Sequence, residues 1–230
     1  MYYKNQVISY LQSNHILALN LDHALAGVGK GVTNQIETIG AGATRALYYT
    51  SCFTDEYQDV CQQQKIEDIR FTLGVTRLLR HGGVVNDMLK IYFEQIFWHK
   101  THEQIEHIQE LLMAVNIHIS TSYLTGHGFA LAAASAVSVG RKLSTDIAVV
   151  AGRAANTAVG IAALYGVVQK AADSANRLRS AHSAYYAALY TQELEMMYFL
   201  IEPLFERAGA LRAQWASDRD IADIIAKMIR

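Results

Sequence analysis

Apolar positions along the chain recur at intervals of three and four and not at two, which predicts helices throughout and an all-α fold. A first helix is expected from about Tyr3, with Val7, Tyr10, Leu11, Leu17, Leu19 and Leu21 on its apolar side, and Gly27, Gly29 and Gly31 ending it. A second covers Val32 to Ser51, weakened in its middle by "GAGA" at Gly40 to Ala43. Thr54, followed by Asp55 and Glu56, reads as the cap of a third helix that runs to about Arg80 and is closed by "HGG". A fourth helix is expected over about Val85 to Val115, with Met88, Leu89, Tyr92, Phe93, Ile96 and Phe97 facing one way.

Beyond a bend at Asn116 to Gly128 the pattern changes. Phe129 to Gly140 is a short alanine-rich helix, and "RKLSTD" turns into "AVVAGRAANTAVGIAALYGVV", Ala148 to Val168. No breaker follows until Pro203, so this segment is expected to continue as one rod through Tyr185 to Tyr198. After "LFERAGALRAQW", Ser217 caps a last helix with a narrow stripe of Ile221, Ile224, Ile225, Met228 and Ile229, a face that would suit partner binding. No Pro/Ser-rich linker divides the chain, so the default is a single domain over residues 1–230.

On a helical wheel Ala151, Ala155, Ala158, Ala162 and Gly166 fall on one side, with Gly160 nearby. A face of small residues lets another helix approach closely, in water and in lipid alike. Ala130, Ala133, Ala134, Ala136 and Gly140 make a similar surface upstream. The two segments are therefore read as a tight antiparallel hairpin, within about residues 111–170, at the centre of a multi-helix bundle.

Charge sharpens this picture. Hydrophobic residues make up 51% of the 230 and charged residues 18%, with a net charge of −1. That balance predicts no nucleic-acid partner. From Leu111 to Gly140 there is no Asp, Glu, Lys or Arg, whereas Arg141, Lys142, Arg153, Lys170, Arg177 and Arg179 follow against only Asp146 and Asp173. Of these, Arg141, Lys142, Lys170, Arg177 and Arg179 flank the hairpin and would be drawn to anionic lipid.

Length argues against a permanent span. The uncharged run Ala154 to Gln169 is about 24 Å of helix at ~1.5 Å per residue, short of a ~30 Å hydrocarbon core. Extending it buries Arg153, at roughly 2.5–3.5 kcal/mol, and a hairpin entering tip first would carry Arg141 and Lys142 across. The alternatives are a buried hairpin at the heart of a soluble helical protein, or a hairpin packed in water and released into a membrane.

Catalytic signatures are absent. "GVGKGVT" at Gly27 to Thr33 has Ala24 and Gly31 where a phosphate loop needs glycine and a hydroxyl. "HKTHEQIEH" at His99 to His107 misses the zinc-protease order by one residue, leaving His102, Glu106 and His107 as weak metal candidates on a charged helix face. No Gly-x-Ser-x-Gly elbow occurs, and no cofactor is implied. Cys52 and Cys61 are nine apart. They are either reduced thiols in a cytosolic protein, the reading that compartment usage favours, or a disulfide across a helix–helix loop.

The layout resembles that of pore-forming bacterial toxins, an all-helical domain hiding a central Ala/Gly-rich hairpin. The resemblance covers roughly Leu111 to Lys170 and is one of architecture, carried by no motif. It implies a small antibacterial effector whose target is an anionic membrane. The N-terminus lacks signal-peptide order, so the expected route is cytoplasmic synthesis and export by a specialised secretion machine. The implied partner is an immunity or chaperone-like protein, and homo-oligomers are compatible with the pattern. The competing expectation is a soluble helical interaction or assembly protein without catalytic activity.

Overall fold

A computed structural model describes residues 41–42, 44–45, 48–53, 58–81, 83–119, 125–140 and 158–230. The architecture is all-α: no strand occurs among the described residues. The helices are α1 (Gln58–His81), α2 (Val84–Phe97), α3 (His102–Ala114), α4 (Gly126–Gly140), α5 (Ala158–Ala181), α6 (Ser183–Thr191), α7 (Glu202–Ala208) and α8 (Asp218–Ile229). Three 3-10 turns join them, η1 (Tyr49–Phe53), η2 (Glu195–Leu200) and η3 (Ala210–Trp215). The chain groups into two compact units, Met1–Phe71 with Ala151–Ala172, and Thr72–Val150 with Asp173–Arg230.

In the second unit, α2 is the central element. Val84, Val85, Met88, Leu89, Tyr92, Phe93, Ile96 and Phe97 are all buried, too broad a surface for one neighbour. It packs most extensively on α4 and also meets α6, η2 and η3. Tyr92, Tyr185, Tyr198 and Phe205 form an aromatic cluster on it, with the Tyr92 and Phe205 rings edge to face at 4.6 Å between centroids. Each of two buried hydroxyls has a backbone acceptor: Tyr92 donates to the Ala210 carbonyl at 2.7 Å and Tyr185 to that of Met88 at 2.9 Å.

Two of the expected long helices are interrupted. The segment read as one helix from Val85 to Val115 ends at Phe97, and α3 restarts at His102 behind a capping box. The Thr101 hydroxyl accepts from the Gln104 N–H at 3.3 Å, and the Gln104 side chain accepts from the Thr101 N–H at 3.0 Å. The rod expected to run to Tyr198 stops at Ala181 and again after Thr191. His182 caps α6 by accepting the Tyr185 N–H on Nδ1 at 3.2 Å. Glu193, at φ 57°, then turns the chain through a Schellman motif, in which Glu193 N–H donates to Tyr190 O and Leu194 N–H to Leu189 O.

Ser217 and Asp220 form the expected cap of α8, as a capping box. The isoleucine stripe behind it is not a free partner surface. Ile221, Ile224, Ile225 and Met228 are buried, α8 packs on α3, α4 and α7, and Ile229 is half-buried. Pro203 opens α7, as its fixed φ allows, and Gly209 closes it at φ 68°.

In the first unit, Cys52 and Cys61 are joined as a disulfide between η1 and α1. The reading of two reduced thiols is thereby corrected. The nine-residue separation is short enough for the start of α1 to return onto η1, with Cα atoms 4.9 Å apart. Buried Phe71, Val168, Ala171 and Ala172 supply apolar surface in this unit. The expected cap at Thr54 lies outside the described residues, as do both N-terminal helices up to residue 40.

Candidate functional site

The two arms of the expected hairpin belong to different units: 126–140 to the second and 151–172 to the first. Arg141, Lys142, Ala151 and Ala155 lie outside the described residues. Ala158, Gly160 and Ala162 are in the first turns of α5, and Gly166 is buried further along it. The small face of the upstream arm is packed at Ala130, Ala133 and Ala134, whereas Ala136 is half-buried and Gly140 exposed. Phe129, Ala130, Ala133, Ala134 and Val137 of α4 are buried, and α2, α8 and α3 are the neighbours of this helix. Gly126 lets the start of α4 ride directly over α2, since a Cβ there would stand 2.7 Å from the Phe97 carbonyl oxygen.

The cations expected to face lipid have other engagements where they are described. Arg177 makes a two-pronged ion pair with Glu202, Nε to Oε1 at 2.7 Å and Nη2 to Oε2 at 2.6 Å. Burial pushes the Glu202 carboxyl upward, but the Arg177 guanidinium outweighs it and holds the group below its ordinary range. The Arg179 guanidinium lies 5.9 Å from the centroid of the Tyr186 ring. Lys170 is half-buried and has an interaction of its own.

A charged cluster that sequence reasoning missed sits in the first unit. Arg45 is 0% exposed. Its Nε and Nη2 donate to Asp68 Oδ1 at 3.0 and 2.6 Å, its Nη1 to Glu67 Oε2 at 2.9 Å and Gln169 Oε1 at 3.3 Å, and its Nη2 also to the Gln64 carbonyl at 3.1 Å. Tyr49 donates to the other Asp68 oxygen. All five guanidinium N–H groups therefore have acceptors, and none is left to take a substrate. The cluster locks α1 to α5 and to the chain before η1, with the guanidinium buried and fully paired. Its partners come from as far as 124 residues away, so no local motif announced it.

His102, Glu106 and His107 are exposed on α3, where His107 Nδ1 lies 3.9 Å from Glu110 Oε2. No group of three or more His, Cys, Asp or Glu among the described residues is placed to hold a metal ion. The strongly shifted groups are Tyr92, Tyr185 and Tyr198, whose hydroxyls are raised first by burial and then by charged or phenolic neighbours. Raised phenols in an aromatic core stay protonated and neutral, which suits packing and not proton transfer.

What the second unit does expose is tryptophan. Trp98 is 79% exposed and Trp215 is 91% exposed, whereas Phe97, the residue before Trp98, is buried against Phe129. Lys100 Nζ and Asp218 Oδ1 pair at 2.7 Å, two and three residues beyond the two tryptophans. That pairing ties the chain just after Trp98 to the chain just after Trp215. The sequence carried only a faint signal for this, a tryptophan just before each of two capping boxes.

Comparison with known protein families, curated proteins and solved structures finds no match. The functional reading therefore rests on the chain's own chemistry.

Proposed function

We propose that this protein acts on membranes, as a helical, pore-forming-like bacterial toxin or effector whose uncharged central segments enter an anionic bilayer. The observation that carries this reading is the charge distribution. Residues 111–140 hold no Asp, Glu, Lys or Arg, residues 154–169 hold none either, and cations stand between and after them. Such segments gain little from water-facing charge and are rich in the small residues that pack helix to helix in lipid.

No helix among the described residues is long and apolar enough to cross a membrane. Action on a bilayer thus requires a second state, in which α4 leaves its packing on α2. Alanine and glycine bury little area, at about 25 cal/mol per Å², so the small-residue face of α4 holds that packing less strongly than leucines would. Export from the producing cell and an immunity partner that blocks the membrane-active state belong to the same proposal.

Dye release from phosphatidylglycerol-containing vesicles, against matched phosphatidylcholine vesicles, at neutral and mildly acidic pH, tests it. Release that depends on anionic lipid supports the reading. A folded protein that releases no dye under any of these conditions overturns it.

A second reading, a helical interaction or assembly protein without catalytic activity, is favoured by α1. Ile66 and Ile69, nearly one turn apart, are 52% and 61% exposed. Co-purification of a protein that is lost on Ile66→Lys and Ile69→Lys substitution, in the absence of dye release, would establish it.

A further inference from the structure

We propose that the Cys52–Cys61 disulfide is a redox-sensitive clasp, opened by a dithiol, that governs whether α5 stays held to α1. The claim stands apart from the membrane reading above. Every residue it uses belongs to the first unit.

Two ties hold the same short stretch of chain against α1. One is covalent, from Cys52 of η1 to Cys61 of α1. The other is the Arg45 lock, whose acceptors Gln64, Glu67 and Asp68 follow Cys61 on α1. Cys61, Gln64 and Asp68 are spaced by three and four, so they share one face of that helix. Tyr49, the first residue of η1, donates to Asp68, and Gln58 Nε2 donates to the Cys52 carbonyl at 3.5 Å. The disulfide thus stands at one end of the contact and Arg45 at the other. Arg45 also reaches α5, where its Nη1 donates to the buried Gln169 Oε1 at 3.3 Å. Among the described residues of this unit the buried apolar side chains are Cys61, Phe71, Val168, Ala171 and Ala172. A core of that size depends on covalent and ionic ties to stay closed.

The disulfide is reachable from one side. Cys52 is half-buried on a turn flanked by Tyr48 and Phe53, which are 43% and 40% exposed, whereas Cys61 is 1% exposed. A thiolate of the dithiol attacks Cys52 Sγ, the S–S bond breaks, and Cys61 leaves as a thiolate that takes up a proton. The second thiol then attacks the mixed disulfide, closes the reagent to a cyclic disulfide and releases Cys52 as a thiol. The protein gains the electron pair and the protons that the dithiol loses. Once η1 is untethered, Tyr49 and Arg45 are no longer held on the α1 face, and Gln169 loses its link to that helix.

The test treats the native full-length protein with dithiothreitol, without denaturant, and follows hydrogen exchange along the chain by mass spectrometry. Alkylation of both cysteines verifies reduction. Amides of residues 61–68 and 166–172 should exchange about tenfold faster, those of α2, α4 and α8 should be unchanged, and glutathione disulfide should restore the slow pattern. Cys52→Ser with Cys61→Ser should show the fast pattern with or without dithiothreitol, which separates loss of the bond from an effect of the reagent. Gln169→Leu should speed exchange at 166–172 while the disulfide is intact.

A disulfide that resists dithiothreitol until the whole chain unfolds overturns the clasp. Reduced protein whose α1 and α5 amides exchange as before overturns it too, as does an acceleration spread equally over both units. Slow exchange at 166–172 in Gln169→Leu refutes the route through Arg45 and the proposal with it.

Discussion

Glu193 occupies left-handed backbone, φ 57°, at the end of α6, a conformation that suits glycine and costs other residues about 1–2 kcal/mol. Its carbonyl-side neighbours are already satisfied by the Schellman bonds, so glycine can take the same path without strain. Glu193→Gly should stabilise the protein by roughly 0.5–1 kcal/mol, read as a higher urea midpoint at unchanged slope. Asn116, at φ 61°, closes α3 by the same motif and already has a tolerant side chain, so Asn116→Gly should gain less. Glu202 offers a pH test. Its folded carboxyl is held below its ordinary range, so the Arg177 pair contributes stability above the unfolded carboxyl pKa and loses it as pH falls through the folded one. Wild type should therefore melt above Glu202→Gln at neutral pH, and the gap should close as pH drops below about 4. The Ser217 cap of α8 was legible as a residue string, whereas Thr101 lay inside a segment whose apolar period reads as one helix from Val85 to Val115. The stop at Glu193 was not legible either, because a left-handed glutamate is imposed by the packing of Leu194 and its neighbours and leaves no glycine to read.

At the scale of elements, α2 and α4 are fitted backbone to backbone. At Gly126 an added Cβ would meet the Phe97 carbonyl oxygen at 2.7 Å, and a backbone atom inside a buried helix cannot swing aside. Gly126→Ala should destabilise by about 1–3 kcal/mol, seen in thermal unfolding. Gly74→Ala meets the Met197 side chain, Cγ at 2.9 Å and Cε at 3.0 Å, which can change rotamer where a backbone atom cannot, so it should cost less and makes the internal control. The period of apolar residues foretold that residues 85–97 and 129–140 would be helices with buried faces. It did not say that α2 would be the partner of the small-residue face of α4, because alanines present the same smooth surface to any helix that arrives. The isoleucine stripe of α8 shows the same limit: an amphipathic face calls for a cover, and its sequence is silent on whether the cover is the protein's own α3, α4 and α7 or another molecule.

For the whole molecule, chemistry sits in surfaces and segments more than in a cluster of reactive groups. The His102 and His107 imidazoles are exposed on α3, so His102→Ala with His107→Ala should leave both the melting temperature and any dye release within error of wild type. Loss of dye release with the melt intact would restore a ligand-binding role to that face. The Arg45 lock, by contrast, should be intolerant: removing the carboxylate of Asp68 takes from the fully buried guanidinium its nearer counter-charge, which water cannot replace there, so Asp68→Asn should lower the melting temperature.

The sequence by itself determined the all-α class, the Ser217 cap of α8 and the charge-free segments, since each depends on neighbours within a turn or two. Only the tertiary structure decided the disulfide, the burial of Arg45 by residues 19 to 124 positions away, the covering of α4 by α2, and the exposure of Trp98 and Trp215. Those outcomes depend on which distant surfaces meet, and burial of an apolar or charged side chain is a property of that meeting, not of the residue alone.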